Sequence, residues 1–257
     1  MKGSTAGPTR TPLTTAATIA RRVLLTYAVD PQVAAALLPA PFRPDVSLGP
    51  ALGGICLLRL RKVRPAGFPR WAGLAVESAA HRMAVEWDTP EGVATGVYVF
   101  RRDVDSALVA RLGDFRRATF GVIEGGGRYS LAAQSIDGAM SVAFTGEQVA
   151  AMPRGSVFTG PDVASAFFRC ASIGHSPVRG GGHSALRLAT PWWRGIPVRA
   201  DYVQSSFFED RSRFPEDTAV FDSAIAMHDV PARWEPVETT IEDVEPVEVP
   251  RRLTRTR

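Results

Sequence analysis

The sequence predicts an α+β fold, mostly antiparallel β, in which a curved sheet encloses a core or cavity and carries a few flanking helices. Three observations predict it. Apolar residues alternate with period two in several short segments, as a half-buried strand requires. Turn signals separate these segments at short spacing, giving hairpins and curvature rather than βαβ units. Segments with helical spacing are few: about 30–38, about 104–112 and about 161–171.

The elements follow in order. Residues 1 to about 15 are rich in Ser, Thr, Gly and Pro and read as a disordered lead-in. Leu24, Leu25, Tyr27 and Val29 suit a strand. Asp30 then caps a helix with Pro31 at its first position, and Pro39 and Pro41 end it. Ala51–Leu60 is an apolar strand; the basic run RLRKVRPAGFPR after it reads as a loop forced by its prolines. Arg82–Asp88 alternates Met83, Val85 and Trp87 with polar or small residues, and 93–100 returns as the second arm of a hairpin. Asp137-Gly138 joins the strands 128–134 and 139–145 through a tight turn. Residues 183–190, 198–207 and 220–228 complete the strands, and Gly160-Pro161-Asp162 opens the third helix. The expected organisation is a single domain over 16–236, followed by a mostly disordered tail over 237–257, acidic and then basic.

Bulk properties narrow the function classes. No apolar run reaches a membrane span, and the N-terminus lacks the core of a signal peptide, so a cytoplasmic protein without membrane association is expected. Cys56 and Cys170 stand alone in apolar settings and read as buried thiols, without zinc-site spacing. The net charge is +4, yet residues 201–250 are strongly acidic and the last seven carry four arginines. The arginines are scattered rather than striped and no nucleic-acid motif accompanies them, so no nucleic-acid partner is expected. Gly125–Gly127 lacks the ending and the helix of a phosphate loop. Neither a cofactor nor a metal is implied, and no histidine pair has metal-ligand spacing.

The candidate ligand-binding residues are Arg101, Arg102, Glu86, His81, Arg82 and Tyr98. Arg101 and Arg102 follow the strand 93–100, and strand parity sends one of them inward. An inward guanidinium would hold a carboxylate or another anion in bidentate fashion. The competing reading pairs these arginines with Glu86 or Asp88 on the hairpin partner and makes Asp103 the cap of the second helix. Glu77, His81, Arg82 and Glu86 form a second polar group, either acid and base around one cavity or cross-strand ion pairs outside. His81 sits near the strand entry, where a loop role competes.

The wording TY-VDP-x(5)-LLP-x-PF-x-PD over residues 26–45 resembles the opening of acetoacetate decarboxylase-like proteins, and more closely their uncharacterised DUF2071 branch. ESAAHRMAVEWD, GVYVFRRDVDSALVARLGD, SFFEDRSRFP and FDSAIAMHDVPARW extend the resemblance to about residue 234. It implies an acetoacetate decarboxylase-like β-cone or barrel around a central cavity. That family's decarboxylase works through a lysine Schiff base; here LGDFRRATFGV stands in the corresponding stretch, with Arg116 and Arg117 where lysines would be sought. Arginine stays protonated and forms no Schiff base. The only lysines are Lys2 and Lys62. The resulting expectation is a protein that binds or transforms a small carboxylate or carbonyl compound without that lysine. The alternative is a non-catalytic structural or interaction module, with self-association through the C-terminal third left open.

Overall fold

The computed structural model describes residues 13–113, 115–178 and 182–237. Twelve strands form one sheet that closes on itself twice. Strands β1 (Thr15–Val29), β3 (Ala51–Pro65), β4 (Leu74–Thr89), β5 (Gly92–Val104) and β12 (Ala219–Val237) run in the order β12-β1-β3-β4-β5 and make a shared wall, antiparallel throughout. The first closure leaves β5 through β6 (Arg116–Gly125), β7 (Arg128–Ser135), β8 (Ser141–Gln148) and β11 (Ile196–Ser205), and returns to β12 near Ala224–Ala226. The second leaves β5 through β9 (Ile173–Pro177) and β10 (His183–Ala189) and returns to β12 at Arg233–Val237. The two-residue strand β2 (Arg43–Pro44) pairs with the outer end of β4.

Side-chain alternation sorts the wall into two buried faces. Val23, Leu25, Tyr27, Ile55, Leu57, Ala79 and Met83 face the first ring, where they meet Leu131, Ala133, Val142, Phe144 and Val198. Leu24, Leu52, Cys56, Ala84 and Ile225 face the other way, against Phe158, Ala164 and Phe168. The last two belong to helix α3 (Pro161–Cys170). Burial on both faces is why β1 reads as a continuous apolar run rather than an alternating one. Gly96 marks the junction of the closures: a Cβ there would stand 2.5 Å from the Ile173 carbonyl oxygen, so β9 could not approach β5.

Several expectations are met and several are corrected. Helix α1 (Pro31–Leu37) has its predicted cap, with the Asp30 carboxylate accepting from the Gln32 and Val33 amides at 2.8 and 3.1 Å. Helix α2 (Ala107–Leu112) begins later than predicted; Ser106 caps it, because Asp103 is still inside β5 and is fully buried. The basic run after Leu60 is no loop: β3 continues to Pro65 through a register shift between Leu60 and Val63. Phe207 and Phe208 lie in a turn after β11 rather than on it. Strands β2, β6 and β9 carry no pattern strong enough to predict. Cys56 is buried as expected, but Cys170 is exposed at the end of α3, and both are free thiols. Of the expected lead-in 1–15 and tail 237–257, residues 1–12 and 238–257 lie outside the described residues; β1 already begins at Thr15 and β12 still includes Val237.

Within the first ring Arg21 is 2% exposed, and its Nη2 donates to Glu77 Oε2 at 2.6 Å. Glu77→Ala strands a buried guanidinium and is expected to cost about 3–5 kcal/mol. Arg21→Met combined with Glu77→Leu should recover most of that loss, because the stranded guanidinium is removed with its partner. Urea denaturation of the three proteins measures both.

Candidate functional site

One end of the first ring opens into a cavity of about 360 Å³ lined by Leu37, His81, Phe100, Arg101, Arg116, Met140, Phe207 and Arg213, with Ala139 at its edge. The lining comes from α1, β4, β5, β6, the β7–β8 turn and the segment after β11, so it exists only once the ring is closed. A register shift between His81 and Arg82 brings His81 opposite Arg101 and turns both to the first-ring face.

Arg101 is held as a fork. Its Nε and Nη2 donate to the two carboxylate oxygens of Asp103 at 2.7 and 2.8 Å, and Nη2 also donates to Asp137 at 3.0 Å. These bonds leave Nη1 as the remaining end of the fork. Asp137 is positioned by its turn: Ser135 Oγ donates to it at 2.5 Å, the Ala139 amide at 3.1 Å and Arg116 Nη1 at 3.1 Å. The Ser135 hydroxyl, then the Ala139 amide, then Arg101 and Arg116 hold its carboxyl well below the usual range. A tight-turn residue legible in the sequence is thus also the outer anchor of an inward arginine. Arg213 stacks on Phe207 at 5.0 Å and pairs with Asp210 at 3.3 Å.

His81 is fully buried in the middle of β4, not in a loop, and neither ring nitrogen has a hydrogen-bond partner among the described residues. Burial, and then the charges of Arg101 and Arg213, push its pKa down to about 3, so the imidazole is neutral at ordinary pH. A buried neutral histidine keeps one donor and one acceptor, and both are unused here.

The other predicted residues are placed elsewhere. Arg102 faces the second ring beside Gly174. Arg82 also faces that side, under the Phe168 ring. Glu86 pairs with Arg43 at 2.7 Å, and Asp88 pairs with the same guanidinium at 2.9 Å. The expected pairing of Glu86 or Asp88 with Arg101 is therefore corrected: β2 competes for both carboxylates, while Asp103 and Asp137 are nearer to Arg101. Tyr98 packs edge-on between Phe100 and His183, with ring centroids at 5.1 and 5.6 Å, and burial raises its pKa. His175 packs against Trp87 and Phe42. Among the described residues no group of three or more His, Cys, Asp or Glu could hold a metal, and no helix is long and apolar enough to cross a membrane.

A second polar network in the first ring was missed in the sequence. Besides Glu77, Arg21 Nη1 lies 3.4 Å from Glu124, and Glu77 also meets Arg59 at 3.4 Å. Tyr129 Oη lies 2.7 Å from His228 Nε2 and 2.5 Å from Gln148 Nε2. Arg21-Arg22 inside IARRVLLTY was the available signal, since charges in an otherwise apolar strand must be paired internally or used.

His81 has a consequence for stability. Its folded pKa is depressed, so its contribution is complete above the unfolded value near 6.5 and is lost as pH falls towards 3. The wild type is expected to lose up to about 1.4 kcal/mol more per pH unit than His81→Leu between pH 6 and 4. Denaturation series at several pH values measure the difference in slope.

Comparison with known proteins agrees with this architecture. Residues 16–120 match the DUF2071 family model, described as "Uncharacterized conserved protein (COG2071)". No curated protein matches the chain. Acetoacetate decarboxylase from Legionella pneumophila superposes with a TM-score of 0.52 at 10% identity, covering 91% of this chain and 92% of that one. An acetoacetate decarboxylase-like enzyme from Sphingomonas wittichii RW1 gives 0.53 at 12% identity, covering 90% and 94%. The enduracididine biosynthesis enzyme MppR, complexed with the condensation product of pyruvate and imidazole 4-carboxaldehyde, gives 0.54 at 11%, covering 87% of each chain. At such identities the likeness is one of fold. Residues 16–120 thus carry the pattern of the DUF2071 family model, and the doubly closed sheet has the fold of the acetoacetate decarboxylase structures.

Proposed function

We propose that the protein binds and transforms a small carboxylate that also carries a carbonyl group, in the cavity beside His81 and Arg101, without Schiff-base chemistry. The observation that carries this reading is the fully buried His81, with both nitrogens unpartnered, on the wall of a 360 Å³ cavity that also holds Arg101. That volume is in the range of small-molecule sites. The free end of the Arg101 fork and the guanidinium groups of Arg116 and Arg213 suit a carboxylate. The neutral imidazole suits a carbonyl or enol oxygen, to which it would donate a hydrogen bond, and it is also suited to proton transfer. MppR, one of the proteins that share the fold, has been solved with pyruvate. A non-catalytic module would have no use for an orphaned histidine beside an arginine fork, because an apolar interior would be cheaper to bury.

Lysine chemistry has no support. Lys62 is exposed on β3, and the positions where the family lysine would be sought carry Arg116 and Arg117 on β6. Borohydride treatment with pyruvate or acetoacetate should therefore give no covalent adduct by mass spectrometry; a stoichiometric adduct on Lys62 would overturn this part of the reading.

Calorimetric titration with pyruvate, 2-oxobutyrate and acetoacetate tests the site itself. Arg101→Lys keeps the charge but loses the fork, and should weaken binding roughly 10- to 100-fold, the loss of a charge-assisted hydrogen bond. Absence of binding to the wild type across that panel would remove the reading. A second location is favoured by one observation, the Tyr129–His228 contact beside Arg21, which is an acid–base pair next to a buried cation. If Tyr129→Phe weakens binding while Arg101→Lys leaves it unchanged, the ligand sits at that end of the ring.

A further inference from the structure

The second-ring face of the wall carries an anomaly that the cavity does not use. Arg22 is 4% exposed, and its Nε and Nη1 are buried without hydrogen-bond partners. Its guanidinium stacks on Trp193 at 4.4 Å. Arg82 projects from the same face, with its guanidinium 5.5 Å from the Phe168 ring. The two rings are neighbours, with centroids 6.4 Å apart, so the two cations sit under adjoining parts of one aromatic cover. Burial first, and the repelling charge of Arg22 after it, push the pKa of Arg82 down to about 10. Stacking stabilises a guanidinium but leaves its in-plane N–H donors unsatisfied. A buried cation beside a second, half-buried one, with no carboxylate paired to either among the described residues, is a costly arrangement.

Arg82 lines a small space of about 10 Å³ together with Thr26, Leu52, Gly54, Ala84 and Phe168. That is room for about one water-sized particle. A monatomic halide needs less room than a polyatomic anion such as phosphate.

We propose that this space between the wall and α3 is a site for a halide-sized anion, bound directly by Arg82 and electrostatically by Arg22. The anion supplies the missing counter-charge and ties α3 to the wall. Because the site is on the opposite face from His81 and Arg101, it stands or falls independently of the proposed function.

The test uses the full chain at pH 7.5 in a buffer whose only inorganic anion is the one added. Chloride and bromide should raise the melting temperature saturably, by roughly 5–10 °C at a hundred times the dissociation constant. Gluconate and phosphate at matched ionic strength should give no saturable rise. The double variant Arg22→Met, Arg82→Met should show no halide response and should melt no lower than the halide-free wild type. Crystals grown in bromide should show an anomalous peak beside the Arg82 guanidinium. An equal response to gluconate, a response kept by the double variant, or bromide absent from that space would each overturn the proposal. Should the double variant fail to fold, the bromide peak and the halide-against-gluconate comparison in the wild type still decide it.

Discussion

The five-stranded wall buried on both faces is the constraint on which everything else rests. A strand in an open antiparallel sheet can send every second side chain to water. Along most of β1, the first half of β3 and the middle of β4 that outlet is closed, because one set of side chains faces the first ring and the other faces α3 and the second ring. Any polar residue on the wall must therefore be satisfied inside the protein or by something that enters it. Arg21, Arg22, Glu77, His81, Arg82 and Arg101 all stand on this wall. Their partners differ.

Arg21 and Glu77 answer the constraint by pairing with one another, and Arg101 does so through Asp103 and Asp137. In both cases the pair is held by strands adjacent in space and distant in sequence. His81 and Arg22 have no such answer among the described residues. In a well-packed interior, unsatisfied polar groups are rare enough to need an explanation. A ligand in the first ring and an anion behind the wall are the explanations that match the local volumes, about 360 Å³ in one case and room for a single small particle in the other.

Closure also separates fold from chemistry. The decarboxylase and decarboxylase-like enzymes that resemble this chain share its architecture at 10–12% identity, so the likeness is one of fold. A lysine can be deprotonated by burial and become a nucleophile, whereas an arginine remains a cation and can only bind, orient and polarise. The same enclosure thus supports different reactions according to which cation it surrounds.

By itself the sequence determined the local elements whose signals are short-range. The Asp30-Pro31 cap, the 82–100 hairpin, the Asp137-Gly138 turn and the antiparallel class all follow from neighbours within a few residues, and the quoted segments were enough to point to the family. Parity also dictated that Arg101 and Arg102 face opposite ways, but not which way. That was decided by the register shift at His81, a property of the β4–β5 pairing that no local pattern encodes. The partners of Glu86, Asp103 and Asp137, the burial of His81 and the strands β6 and β9 were likewise tertiary outcomes. Each depends on a strand brought alongside from far along the chain, and burial and charge pairing are properties of the closed sheet rather than of any segment within it.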